Sequence, residues 1–380
     1  NEMPCETFLE MAAWYRGLGR AGDALKVLDL AEPNAEILYW KAYLQNGLRK
    51  GSASQALNWA DGASPWLVFP FRPESQAVFD WAADQSRSWK PKYYLALLAW
   101  SRGDQDRALE HLDACGAEPD YPPFYAARAK LNRSRDGSLV DLKRAASLEP
   151  GEWRYGKLLA ERLIEDNEIG AALEITGRHF GASPSNHIIA LLHARTLLLD
   201  RRYAEASRVL GSITVLPSEG QADARGVYRE AELMLAASEM RAGKIESALA
   251  HVAAAREWPE RLGAGKPYPN EVDERFEDWL TGECFLRQGK AGEAQALFER
   301  FVEVERATGG ARGLMAALAL KNLGKQDQAD QHFKTWAESG KNADLIGWAR
   351  RVFAGERVPW AGSQPSSLEL RVLTEAFGPA

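Results

Sequence analysis

Long apolar runs, clustered cysteines and an excess of basic residues are all missing from this sequence of 380 residues. Its longest apolar stretches, such as 188–192 and 314–320, fall well short of the roughly 18 residues that a membrane span needs. Cys5, Cys115 and Cys284 lie far apart, which predicts free thiols in a reducing, cytoplasmic compartment. The net charge of -6, with both signs interspersed, argues against a nucleic-acid partner.

Motifs for catalysis, metal binding and phosphate binding are missing as well. The sequence contains no HExxH and no GxSxG. The segment Gly263-Ala264-Gly265-Lys266 is not a phosphate loop, because Glu260 occupies the first glycine position and Pro267 follows the lysine. One acidic group falls in the first turns of a predicted helix, where carboxylates are favoured: Asp273, Glu274, Glu277 and Asp278. We therefore expect no cofactor and no metal site.

The stretch 270–304 shows what the chain does contain, which is a pair of amphipathic helices. Apolar residues recur at helical spacing in both halves, and the turn between them carries Gly289. Glycine supplies the left-handed conformation that a chain leaving a helix needs. Gly282 and Ala294 are expected where the two helices come closest. A pair of this kind cannot bury its apolar faces alone and implies similar neighbours.

A column of small residues marks the start of each predicted second helix. Its members recur at intervals of 30 to 52 residues: Ala24, Ala56, Ala108, Ser138, Ala172, Ala206, Ala248, Ala294 and Ala329. A glycine stands five residues before six of them, and Asn167 and Arg201 hold this turn position before two others. Another small residue usually lies twelve positions before the column, and a large apolar residue four positions after it.

This pattern resembles the tetratricopeptide repeat (TPR) over residues 5–340. The resemblance implies an all-α, right-handed solenoid, or superhelix, of about nine TPR-like helix pairs. Insertions near 61–91 and 258–270 break the period, the first being either a degenerate repeat or a strap across the array. We expect residues 341–380 to form C-terminal capping helices, the last near 366–377 with Ser366 and Glu369 in a capping box.

Three segments resemble a family of large bacterial proteins in which an uncharacterised β-rich N-terminal domain, with a carbohydrate-related function as one alternative, precedes TPR repeats: 68–74, 92–98 and 265–279. The chain begins Asn-Glu-Met, which is compatible with a fragment whose signal peptide or N-terminal domain lies upstream. The resemblance then implies that the part performing chemistry lies outside this chain. Whether the parent protein is an enzyme stays open, and this chain is not expected to be one.

Projecting the repeat onto the first helices gives candidate partner-binding residues on a concave groove: Tyr93, Glu161, Arg195, Arg241, Trp279, Glu283 and Arg287. The three arginines could form a ladder that binds carboxylates through two parallel N–H groups each. The alternative is a row of independently solvated arginines. The first insertion contributes candidate inter-domain contacts, expected to be buried against the array or a second domain: Trp66, Phe69, Phe71 and Arg72.

The sequence thus favours a non-catalytic protein-binding or scaffold module that uses a concave face. Its partner would be a protein or peptide, or an N-terminal domain of the same polypeptide, with no nucleic acid, no membrane and an undetermined oligomeric state. One alternative is an accessory helical region of a larger carbohydrate-active enzyme. A closed α/α-toroid glycosidase is disfavoured by the small-residue column, and a membrane-tethered assembly factor would require a missing N-terminus.

Overall fold

A computed structural model describes residues 5–217, 223–307, 309–338, 342–362, 365 and 367–379. Over these residues the regular structure consists of α-helices and two short 3-10 helices, Glu260–Leu262 and Pro269–Glu271, without a strand. The all-α prediction is confirmed. The chain divides into two compact units at Leu163/Ile164, each with its own apolar core.

The first unit is built from ten helices, the last of which ends two residues beyond the boundary. They are α1 (Cys5–Gly17), α2 (Ala21–Leu28), α3 (Ala35–Gly47), α4 (Ala53–Gly62), α5 (Ser75–Gln85), α6 (Lys90–Ser101), α7 (Gln105–Asp113), α8 (Pro122–Leu131), α9 (Arg135–Leu148) and α10 (Trp153–Glu165). Neighbouring helices that are joined by short connections pack against each other as helix hairpins. These pairs are α1 with α2, α3 with α4, α6 with α7, and α8 with α9.

The second unit contains the remaining helices of the described chain. They are α11 (Ile169–Ala182), α12 (His187–Leu199), α13 (Tyr203–Ser212), α14 (Asp223–Arg241), α15 (Ile245–Ala255), α16 (Arg275–Arg287), α17 (Ala291–Val304), α18 (Gly310–Asn322), α19 (Gln326–Glu338), α20 (Ala343–Phe353) and α21 (Leu368–Ala376). Here α12 packs on α13, α14 on α15, α16 on α17 and α18 on α19.

The small-residue column is buried throughout. All nine members lie in a second helix, and none exposes more than 8% of its surface: Ala24, Ala56, Ala108, Ser138, Ala172, Ala206, Ala248, Ala294 and Ala329. The large apolar residues four positions later are buried too, as Leu28 and Phe298 illustrate. Small side chains let the paired helices approach, and the large ones fill the space beside them. The predicted packing is confirmed for the helix pairs within each unit.

Most turns between paired helices follow the prediction, although the turn between α8 and α9 has no left-handed residue. Asn167 and Arg201 adopt left-handed φ angles of 61° and 62°, as expected for residues in the glycine position. Gly289 is left-handed as well, with φ 77°. In the second pair, however, the left-handed residue is Arg49 (φ 56°) rather than Gly51. Helix α3 ends two residues earlier than the glycine predicts, so the reversal falls on the arginine.

The irregular segments agree closely with their expected positions. The first insertion contains α5, and the second, 258–270, is a loop with short 3-10 turns. Helix α20 begins after Asn342, within the segment 341–380 in which helices are expected. Ser366 lies outside the described residues, and the cap of α21 is Ser367, whose hydroxyl accepts from the N–H of Leu370 at 3.2 Å. Whether α20 and α21 form a capping domain separate from the array stays a prediction.

The tryptophans divide between core and surface. Trp40 and Trp279 are fully buried, as the helical pattern predicts. Helical spacing predicts that Trp14 also packs on the apolar side of α1, and this prediction is wrong, because 62% of its surface is exposed. Trp14 lies on α1, the first described helix of the chain, on a side that no other described helix covers.

Candidate functional site

Helix α21 lies on one face of the second unit, which we call the first-helix face because α12, α14, α16 and α18 line it. It packs mainly against α14, with further contacts to α18. Leu370, Val372, Leu373 and Ala376 bury their side chains there. These residues recur at helical spacing, so α21 is an amphipathic helix whose apolar side covers the face. This is the surface on which the sequence placed Arg241 and Trp279.

Glu375 is the polar centre of this contact. The carboxylate is only 4% exposed, although it lies on the apolar side of α21. Its Oε2 accepts hydrogen bonds from Arg201 Nη2 at 2.7 Å and from the hydroxyl of Tyr203 at 2.8 Å. Its Oε1 lies 2.8 Å from Arg241 Nη2, with the N–H not aligned for a hydrogen bond. The two guanidinium groups compensate a buried charge that would otherwise be costly.

Tyr203 serves as a neutral hydrogen-bond donor in this site. Burial raises the pKa of Tyr203, and the nearby Glu375 carboxylate raises it further. The phenol therefore keeps its proton over the physiological pH range. A neutral hydroxyl and two cations converging on one carboxylate form a site suited to binding an acid, rather than one that moves protons.

Three further contacts fix the register of α21. Arg371 Nε donates to Glu230 Oε1 at 2.7 Å, on α14. Glu369 lies 3.4 Å from Arg312 Nη2, at the start of α18. At the other end the ring of Phe377 meets Trp279 edge-on, with centroids 6.3 Å apart.

Two clefts border α21 on the side of α12. Their volumes are about 480 and 600 Å³. Leu198, Leu199, Pro365 and Arg371 contribute to both, and Arg195 lines the smaller one. Helix α21 thus covers the α14 side of the first-helix face and leaves part of the α12 side open.

The predicted partner-binding residues of the second unit occupy several different positions. Arg241 contacts Glu375, and Trp279 is fully buried beneath Phe377, with its Nε1 donating to the carbonyl of Met315 at 3.1 Å. Arg287 donates to the carbonyl of Met240 at 2.8 Å. Arg195 is half exposed and lies 3.4 Å from Asp223. The three arginines thus have three different local partners instead of forming one ladder.

Glu283 is a buried acid rather than a groove residue. It is 8% exposed and accepts a hydrogen bond from Asn322 Nδ2 at 3.0 Å. Burial raises the pKa of Glu283 to about 7, an effect that the neighbouring Arg287 partly offsets. In the first unit, Tyr93 is likewise buried, its ring centroid 5.7 Å from that of Trp89. Glu161 forms a surface ion pair with Lys157 at 2.8 Å. A role of these residues in partner binding stays a prediction.

Residues 66–72, which we call the strap, carry the candidate inter-domain contacts. Trp66, Phe69 and Phe71 each expose at least half of their surface, so the structure does not bury them within the first unit. Only Val68 among the strap's large apolar residues points into the core, at 3% exposure. Arg72 Nη2 donates to the carbonyl of Glu6 at 3.2 Å and pairs with its carboxylate at 3.1 Å. Burial against a second domain stays a prediction.

The acidic group at the start of α16 binds arginines. Glu277 receives two hydrogen bonds from Arg229, at 2.6 and 2.9 Å, and Asp278 receives one from Arg256 at 2.9 Å. Asp273 accepts from Arg275 and Arg312, which lowers the pKa of its carboxyl. In the part of the chain that the structure describes, no group of three or more acidic, histidine or cysteine side chains is arranged to hold a metal ion.

Sequence reasoning missed Glu375, Arg201 and Tyr203 as a site. The repeat pattern identifies Arg201 only as a turn residue, and Glu375 falls only within the last predicted helix. One feature of the sequence does indicate that Glu375 has a partner. Glu375 interrupts the apolar pattern of a short amphipathic helix, and a carboxylate in that position must be paired if it is buried.

Comparisons with known proteins show only distant similarity. No protein-family model and no curated protein matches the chain. Among solved structures, a tetratricopeptide repeat protein from Parabacteroides merdae is 14% identical, with a TM-score of 0.43, over 71% of this chain and 100% of that one. Yeast Tom70 is 13% identical, with a TM-score of 0.35, over 92% of this chain and 88% of that one.

The repeat character of the chain follows from its own helix pairs. Each pair has a buried small residue in its second helix, and most have a left-handed turn residue before it. The helices form tetratricopeptide-like pairs. Among the described residues, no helix combines the length and the apolar character needed to cross a membrane.

Proposed function

We propose that this chain is a non-catalytic protein-binding or scaffold module, and that the first-helix face of the second unit binds an amphipathic helix. The observation that carries the proposal is the position of α21. An amphipathic helix with one buried carboxylate lies on this face and is held by two arginines and a tyrosine. Helix-in-groove recognition of this kind uses apolar anchors at helical spacing.

The face is well suited to such binding because the fold fixes the backbone positions that carry its polar groups. Arg201 is held by the left-handed turn that precedes α13, and Tyr203 opens that helix. Arg241 ends α14, a helix of 19 residues that packs against α15. Donors that are already in position lower the loss of conformational entropy when a partner binds. Arg195, beside the open cleft, is the proposed contact for a second acidic group of a partner.

The strap of the first unit is proposed as a contact to a second domain or chain. The exposed side chains of Trp66, Phe69 and Phe71 support this role, since clustered apolar residues on a surface usually mark an interface. The alternative function, an accessory region of a carbohydrate-active enzyme, stays a prediction, as does the cytoplasmic location.

A nicked form of the full chain tests the helix-binding proposal. A protease site inserted after Gly362 would separate α21 from the rest of the chain without altering the face. We expect the cleaved fragment to remain bound through size-exclusion chromatography and to exchange with a labelled peptide of residues 365–379. The peptide should then bind saturably in fluorescence anisotropy.

Matched variants define what the binding depends on. Arg241→Ala should weaken the peptide's affinity by about 10-fold or more, because a charge-assisted contact to a buried carboxylate is lost. Arg195→Ala should leave it unchanged, since Arg195 contacts Asp223 and not α21. In the peptide, Glu375→Gln should reduce affinity, whereas Thr374→Ala should not. Release of the fragment from a nicked protein that remains folded by circular dichroism would refute the proposal.

A further inference from the structure

We propose that α21 is a built-in competitor for the first-helix face, and that the partner is an amphipathic helix carrying a glutamate in the place of Glu375. This inference rests on the proposed function, because it assigns the partner and the regulation of the same site. In this arrangement the face is closed when α21 is docked and open when a partner helix has displaced it.

The contact of α21 leaves part of the binding capacity of the face unused. Glu375 Oε1 receives no hydrogen bond from the described residues, although Arg241 Nη2 lies 2.8 Å away. The side chain of Arg201 is 61% exposed, so water and salt screen its ion pair. A carboxylate placed to align with both guanidinium groups would be bound more strongly than the one on α21.

Helix α21 is also short. It has nine residues, fewer than an isolated helix needs to be stable in water, so its helical form depends on the face that it covers. A longer partner helix would bring more of its own helical stability. It could also cover Leu199, which lines both clefts beside α21. Both effects favour the partner in direct competition.

The connection between α20 and α21 keeps α21 close to the face even when α21 is not bound to it. Residues 354–367 join α20 to α21. Val358 in this connection is buried, and its N–H donates to the carbonyl of Phe377 at 3.3 Å. The chain that follows Val358 is therefore the tether that holds α21 at a high effective concentration near the face. The apparent affinity of an outside helix therefore equals its intrinsic affinity multiplied by the fraction of time that the face is free. Weakening α21, or lengthening its tether, should raise that fraction without changing the face itself.

The test uses the intact chain and a labelled synthetic peptide of residues 365–379 as the probe. Two variants weaken the competitor: Glu375→Gln in the chain, and a flexible insertion after Gly362 that triples the length of the tether. We expect the probe to bind the Glu375→Gln chain about 10-fold more tightly than the unsubstituted chain. The tether variant should bind it about 5-fold more tightly, because effective concentration falls as the −3/2 power of tether length. Thr374→Ala in the chain is the matched control and should change nothing.

The outcomes separate the two proposals. Equal affinity of the probe for the unsubstituted chain and for both weakened variants would overturn the competitor and leave the helix-binding face standing. Failure of the probe to bind any of the chains, with unchanged circular dichroism and melting, would overturn the proposed function and the inference with it. Equal binding of probes with glutamate and with glutamine at position 375 would overturn the assignment of an acidic partner. The tether variant keeps the test valid if the Glu375→Gln chain does not fold.

Discussion

Gly282 on α16 faces the ring of Phe298 on α17 so closely that a Cβ on Gly282 would lie 2.9 Å from Phe298 Cε1. Phe298 is 1% exposed, and its ring packs between the two helices of the pair. Glycine is therefore required here because the neighbouring helix lies so close, and not because the backbone of Gly282 adopts a left-handed conformation. The same relationship explains why a small residue recurs twelve positions before the column in most of the repeats.

Gly282→Ala should destabilise the second unit. Relieving the overlap needs a shift of a buried ring, which typically costs about 1–3 kcal/mol, more than the roughly 0.5–1 kcal/mol that alanine gains over glycine within a helix. Gly292→Ala is the matched control in the partner helix, where an added Cβ meets nothing within 4 Å. Chemical denaturation should show a lower free energy of unfolding for Gly282→Ala and no decrease for Gly292→Ala. Equal stability of the two variants would contradict the close approach.

Arg49→Gly should stabilise the first unit by about 0.5–1 kcal/mol, because the left-handed φ of 56° is unfavourable for a residue with a Cβ. Gly51→Ala should be tolerated, since Gly51 is not left-handed and has open space around it. Urea denaturation of both variants checks this. The reverse ranking, with Gly51→Ala destabilising, would place the left-handed residue where the sequence pattern first put it.

Glu36→Gln should make the stability of the first unit less dependent on pH. Glu36 is buried and accepts a hydrogen bond from the hydroxyl of Ser75 at 2.7 Å. Burial raises its pKa from 4.5 to about 7, so the native state holds a proton that the unfolded state releases. Its contribution is therefore fully present below pH 4.5, and about 3 kcal/mol is lost as the pH rises to about 7.

The measurement compares the free energy of unfolding at pH 5 and pH 8 for both proteins. Groups shared by the two proteins, Glu283 among them, cancel in the difference. The Glu36→Gln variant should gain stability relative to the unsubstituted chain at pH 8, because glutamine can still accept from Ser75 without burying a charge. An identical pH dependence in both proteins would show that Glu36 does not titrate in this range.

Val68→Ser and Phe69→Ser should differ strongly although they are adjacent in the strap. Val68 is 3% exposed, and replacing it with serine loses apolar burial and buries a hydroxyl, at a cost of about 2–3 kcal/mol. Phe69 is 50% exposed, and its replacement should change the stability of this chain by less than about 1 kcal/mol. Thermal melting distinguishes the two. A large loss with Phe69→Ser would mean that the strap is buried in solution.

The repeat unit was predictable because it follows from local rules. Buried alanines at fixed phase, apolar residues at helical spacing and left-handed turn positions each depend on residues close together in sequence. This accounts for the confirmed pairing of α16 with α17 and for the left-handed conformations of Asn167 and Arg201. The displaced turn at Arg49 shows the limit, since the end of a helix depends on packing as well as on the nearest glycine.

The amino-acid sequence alone determined that this chain is built from paired helices, because each pair is specified within some 35 residues. Only the tertiary structure decided which surface is occupied and by what. Glu375 contacts Arg201, Tyr203 and Arg241 across long separations in the chain, and no periodic pattern specifies such a meeting. The exposure of Trp66 and Phe69, like the burial of Trp279 beneath Phe377, likewise depends on how complete helices pack.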